Sequence, residues 1–145
     1  MSAPEQLVEA RRWLRYATED CRAAELLRLN GESVPRQACY LAQQAAEKAI
    51  KAALVRYGID FPKTHNLNQL RNLLPPDNRV VREFPDLAEL SSWVAEARYP
   101  GDWPEPTAQD AQHAVMQAQA VLAGIRADLA SDGIHEPGMT PPGEP

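Results

Sequence analysis

Apolar residues recur along the chain at three- and four-residue spacing, and prolines cut that pattern into blocks. Leu7, Ala10, Leu14, Ala17, Cys21 and Ala24 form one stripe, which predicts an amphipathic helix from about Pro4 to Leu29. Trp13, Leu26 and Leu27 are expected to widen it, and Asn30-Gly31 to stop it. A second helix is predicted from a Ser33 cap, with Pro35 in its first turn, to Gly58. It is apolar almost all round, from Ala38 to Ala53, and so reads as central to the fold. A narrow polar stripe interrupts it: Gln44, Glu47, Lys48 and Lys51, with Glu47 and Lys51 at the favourable ion-pair spacing.

Phe61 to Asn66 reads as a loop, followed by a short helix through Leu67, Leu70, Leu73 and Leu74. A helix over about 86–98 places Leu87, Leu90, Val94 and Ala97 on one face, with Trp93 beside it. The segment from Tyr99 to Pro106 holds too many prolines for a helix. Thr107-Ala108-Gln109-Asp110 has the spacing of a capping box and opens a last helix, with Ala111, Ala114, Val115, Ala118, Val121, Leu122, Ile125 and Leu129 on its buried face. The fold class is therefore all-α: an up-and-down bundle of four main helices plus one short helix over residues 4–131. Residues 132–145 hold three Gly and four Pro with little to bury, and are expected to form a disordered tail.

At 145 residues, one domain with a real core is expected. The 44% hydrophobic and 24% charged content is that of a globular protein. No apolar run approaches the roughly 20 residues of a membrane span. The first residues lack the layout of a signal peptide, so a cytoplasmic location is expected. Cys21 and Cys39 read as small buried hydrophobes. His65, His113 and His135 lack zinc-ligand spacing, and no glycine-rich phosphate loop occurs, so neither metal nor cofactor is expected. The net charge of −5 hides an asymmetry: residues 1–85 carry 13 Lys/Arg against 10 Asp/Glu, and residues 86–145 carry 2 against 10. The chain as a whole is not an electrostatic nucleic-acid binder, although its first half could offer a local anion-binding face.

Polar residues stand where the bundle wants apolar ones at three places: the stripe on the second helix, Lys63-Thr64-His65-Asn66, and Glu96 to Asp102. Such groups must be paired, solvated or line a cleft. Structural ion pairing and a ligand site both satisfy that need. Cations beside an aromatic ring suit a phosphate and a base. Glu47, Lys51, His65, Arg98 and Tyr99 are the candidate nucleotide- or RNA-binding residues, expected around one solvated cleft, with Arg98 and Lys51 on the anion and Tyr99 beneath a base.

The run from Ala38 to Ala52 (ACYLAQQAAEKAIKA), the loop Pro62-Lys63-Thr64-His65-Asn66-Leu67 and the segment Ala97-Arg98-Tyr99-Pro100 together resemble the HEPN family, the higher eukaryotes and prokaryotes nucleotide-binding domain. The resemblance covers about residues 6–130. It implies a helical bundle, often a homodimer, in two-gene modules of toxin–antitoxin type whose partner is a small nucleotidyltransferase. Many members are metal-independent ribonucleases, marked by an Arg followed four to six residues later by His. No Arg here has a His at that spacing: Asp102, Trp103 and Pro104 follow Arg98. That activity is therefore not carried over, and a nucleotide- or RNA-phosphate-binding component of such a module is the leading expectation. Two alternatives stay open: a ribonuclease toxin with a non-standard active site, using His65 or Tyr99, and a ligand-free interaction module. A homodimer is expected because alanine-rich helices offer more apolar face than one small bundle covers.

Overall fold

The computed structural model describes residues 1–30, 34–98 and 104–132, with the backbone alone at 95–98. Among these residues six helices follow one another: α1 (Ala3–Leu29), α2 (Pro35–Arg56), α3 (Leu67–Arg71), α4 (Arg79–Glu83), α5 (Ala88–Arg98) and α6 (Ala108–Ser131). The fold is all-α, and α2 is its axis, packed against α1, α6, α5 and α3. Among the described residues no helix is long and apolar enough to cross a membrane.

The long helices begin where their side chains can cap them. Ser2 and Glu5 form a reciprocal capping box on α1, and Thr107 and Asp110 form another on α6. Helix α2 instead starts at Val34 with no side-chain cap, and Pro35 fills its first turn. The Ser33 cap read from the sequence lies outside the described residues. At the other end of α2, Gly58 takes a φ of 68°, and Ile59 N–H donates to Leu54 O at 2.9 Å while Gly58 N–H donates to Val55 O at 3.1 Å. This pairing satisfies the last carbonyls and turns the chain back along α2.

Small side chains let α1, α2 and α6 approach closely. Ala10, Ala17, Ala24, Ala42, Ala45, Ala49, Ala111, Ala114 and Ala118 are at most 2% exposed within one chain. The chain therefore covers these alanine faces itself. Every residue expected on the buried face of α6 is buried. Leu26, expected to widen the core stripe of α1, is instead 61% exposed, because it falls on the side opposite Ala10 and Ala17.

Two short helices stand where one was expected. Helix α4 is too short for its period to be read from sequence. Asn78 caps it by accepting from Val80 N–H, Val80 is buried, and Arg79 donates to the Asp128 carboxylate of α6 from its backbone at 2.8 Å and its Nε at 3.2 Å. Gly124 lies beneath α4; a Cβ there would sit 3.6 Å from Val80 Cγ2. Tyr57 Oη donates to Asp132 at 2.9 Å, tying the end of α6 to the end of α2. Asp132 is the C-cap of α6, and the tail expected beyond it lies outside the described residues.

Candidate functional site

Gln43, Glu47 and Lys51 occupy successive turns of α2 and share one side of it. The chain returns past that side after Gly58 and fixes His65 by its backbone. His65 O accepts from Gln43 Nε2 at 3.1 Å and from Ser91 Oγ of α5 at 3.0 Å, while Leu67 N–H donates to Ser91 Oγ at 2.9 Å. Thr64 Oγ1 accepts from Asn66 N–H, and Asn66 caps α3. The imidazole is thereby delivered to Glu47, with Nδ1 2.8 Å from Oε1.

Glu47 is 4% exposed and accepts from three groups: Lys51 Nζ at 2.9 Å, His65 Nδ1, and Gln43 Nε2 at 3.2 Å. Burial alone would push its carboxyl up. The hydrogen bonds from Lys51, His65 and Gln43 outweigh burial and hold it below the usual range. An ionised carboxylate only accepts, so Nδ1 of His65 carries the proton. The His65 side chain is 45% exposed. In the neutral imidazole Nε2 is an acceptor, and in the cation it is a donor.

A groove of about 370 Å³ opens there, lined by His65, Asn66, Asn68, Ala88, Ser91, Ser92 and Val94. Most of its polar groups already have partners: Asn68 bonds Asp86 and Leu87 N–H, Ser91 bridges His65 and Leu67, and Ser92 donates to Glu89 O. The imidazole edge is its chemically versatile group. No Lys or Arg is among these lining residues.

The structure brings three of the five candidates together: Glu47, Lys51 and His65. Arg98 is the last residue of α5, seven positions beyond Ser91 and so on the same side of the helix, about 10 Å further along. Its side chain and the whole of Tyr99 lie outside the described residues. The expected solvated stripe is not one surface. Glu47 is buried, and Lys51 Nζ lies between the rings of Trp13 and Phe61, 5.6 and 5.5 Å from their centroids, while bonded to Glu47. Lys48 turns the other way and donates to Asp20 of α1 at 2.5 Å. Helical geometry spreads four residues at this spacing over more than a quarter turn, so neighbouring elements divide them. Gln43 and Ser91 were not singled out from the sequence. Gln43 extends the Glu47–Lys51 spacing by one turn and could have been found. Ser91 is joined to His65 only by the fold.

A model of the HEPN domain family matches residues 10–127, and the chain belongs to that family. It is similar to TT1696 from Thermus thermophilus, with 30% identity, a TM-score of 0.71, and coverage of 81% of this chain and 96% of that one. It shares its fold with ST0689, an archaeal HEPN homologue, at 22% identity and a TM-score of 0.59, covering 83% of this chain and 97% of that one. No curated protein matches the chain.

Proposed function

We propose that this HEPN-domain protein binds a nucleotide or an RNA phosphate in the groove between α3 and α5. We further propose that it acts as a homodimer in a two-gene, toxin–antitoxin-like module with a nucleotidyltransferase partner. The observation that carries the binding reading is the His65–Glu47 pair. A buried, ionised carboxylate holds an imidazole that lines an open groove. In this reading Arg98, the last residue of α5, is the cation for the phosphate and Tyr99 the ring for a base. Lys51 acts through Glu47, keeping it charged, rather than on the ligand itself.

Anisotropy of a labelled single-stranded RNA and calorimetry with ATP test this reading. Arg98→Ala is expected to weaken binding by about 1.5–3 kcal/mol with helical circular dichroism unchanged. His65→Ala is expected to weaken it as well. Binding unchanged in both variants overturns the site.

The same pair favours a second reading, a metal-independent ribonuclease in which His65 carries the proton. RNA cleavage in the presence of a chelator, lost in His65→Ala, would establish it in place of simple binding.

A further inference from the structure

A second groove, of about 350 Å³, runs between α1 and α6 and shares no lining residue with the one beside His65. Its apolar part is Cys21 and Leu26 from α1 and Leu122 from α6. Cys21 and Leu122 are buried, whereas Leu26 is 61% exposed and covered by no other part of the described chain. Each wall also brings one arginine, Arg22 from α1 and Arg126 from α6. Residues 86–145 hold only two Lys/Arg, Arg98 and Arg126, so α6 spends its one cation on this groove.

The Arg126 guanidinium is held in place. Thr18 donates its hydroxyl to Leu14 O at 2.8 Å, which leaves the oxygen's lone pairs for Arg126 Nη2, and Nη2 donates to it. Burial pushes the Cys21 thiol up, and Arg126 is close enough to draw it part of the way back. The carboxylates nearby are already answered. Glu25, which also lines the groove, accepts from Arg28 Nε at 2.9 Å and Nη2 at 2.8 Å, and the Arg28 hydrogen bond holds its carboxyl below the usual range. Asp20 is paired with Lys48. Glu25 with Arg28 and Asp20 with Lys48 are each neutral, so the surplus charge is that of Arg22 and Arg126. Arg22 is exposed and makes no ion pair among the described residues.

Two guanidinium groups on facing walls select an anion with two charged ends, because one carboxylate fills only one fork. The leucines between them select what joins those ends. A bare phosphate would leave Leu26 and Leu122 uncovered. A nucleotide would lay its base on a lining that, among the described residues, has no aromatic ring to stack it. An aliphatic chain fits the leucines, and the Gln119 amide adds a neutral polar group on the α6 wall.

We propose that the α1–α6 groove binds a short aliphatic dicarboxylate, with one carboxylate on Arg22, the other on Arg126, and its carbon chain over Leu26 and Leu122. The proposal stands apart from the reading of the His65 groove and uses none of its residues.

Titration of the full chain with succinate, glutarate and adipate, followed by calorimetry and by backbone amide shifts, tests it. At least one diacid is expected to bind saturably with a dissociation constant of about 1 mM, moving amides around Cys21, Leu26 and Gln119 and not those around His65. Arg22→Ala is expected to weaken binding about tenfold, the scale of a lost hydrogen bond to a charged group. Leu26→Glu, at an exposed position, places a like charge beside the ligand and is expected to weaken it at least as much. Arg126→Met is expected to abolish saturation; should that variant unfold, the two α1 variants decide the matter alone. His65→Ala is expected to leave diacid binding unchanged. Inorganic phosphate or butyrate bound as tightly as the best diacid would overturn the two-ended ligand. AMP displacing the diacid, and itself weakened by Arg22→Ala, would assign the groove to nucleotides and equally overturn the proposal. So would the absence of saturable binding at ten times the expected constant, or diacid binding indifferent to Arg22→Ala and Leu26→Glu.

Discussion

On one side of α2 the chain places alanine after alanine; on the other it places Gln43, Glu47 and Lys51. Both sides are buried. Ala38, Ala42, Ala45, Ala49 and Ala52 are each 0% exposed, as is Gln43, and Glu47 is 4% exposed. The alanine side gains stability by close approach of helix to helix and has no group whose bonding can be left unmade. The polar side is stable only as a set, because each member satisfies another. Only the polar side connects the interior to a groove, through His65. A fold that needed stability alone could have continued the alanines, since a well-packed apolar replacement of a buried ion pair is often neutral or better. The binding reading proposed above draws on that difference.

Breaking one member of that set should give the largest effect. Glu47→Ala leaves the Lys51 ammonium, whose side chain is 11% exposed, without its carboxylate, and leaves Gln43 and His65 short of an acceptor. A loss of about 3–5 kcal/mol is expected in urea unfolding, the scale for an orphaned buried charge. On the alanine side the corresponding insult is overpacking. Ala49→Leu is expected to cost about 1–3 kcal/mol by forcing the helices apart. If Ala49→Leu proved the more damaging, the contrast between the two sides would fail.

Acid sharpens the same contrast. The Glu47 carboxyl titrates below its ordinary value of 4.5 in the folded chain. A depressed carboxyl contributes stability that is full above the unfolded value and is lost as pH falls through the folded one. Glu47→Gln removes that contribution, so its stability deficit relative to wild type should be greatest near neutrality and shrink toward pH 3. Urea midpoints of both proteins at pH 7, 5 and 3 measure it. An unchanged deficit across that range would mean that Glu47 is not ionised against its partners.

Much of this was legible in the residues. The period of Leu7 to Ala24, the proline breaks, the Thr107 box and the Gly58 stop are local signals, and each helix they mark is present. Glu47–Lys51 was legible because helical spacing fixes it. Helix α4 was not, because five residues held by an Asn78 cap and by Asp128, 49 positions away, have no period of their own. The failure of the polar stripe was of the same kind. Spacing shows which residues share a side, but not that Trp13 and Phe61 would enclose Lys51, or that Asp20 would take Lys48. Leu26 was misplaced because apolar identity was read without its angle around the helix.

The smallest effect belongs to the Lys48–Asp20 pair, which joins α2 to α1 at the margin of the alanine side. Its 2.5 Å contact is short, but the side chains are 25% and 20% exposed. Water screens such a pair, and holding a long lysine side chain in place costs entropy, so the net contribution is small whatever the distance. Asp20→Asn is expected to cost about 0.2–1 kcal/mol. The cost should shrink further in 1 M salt, where the screening length falls to about 3 Å. Glu47→Ala should keep most of its cost in the same salt, because ions do not reach a carboxylate buried beneath His65 and Lys51. A double-mutant cycle of Asp20→Asn with Lys48→Met isolates the pair. A coupling above about 2 kcal/mol would place Lys48 with the buried set and not with the solvent margin.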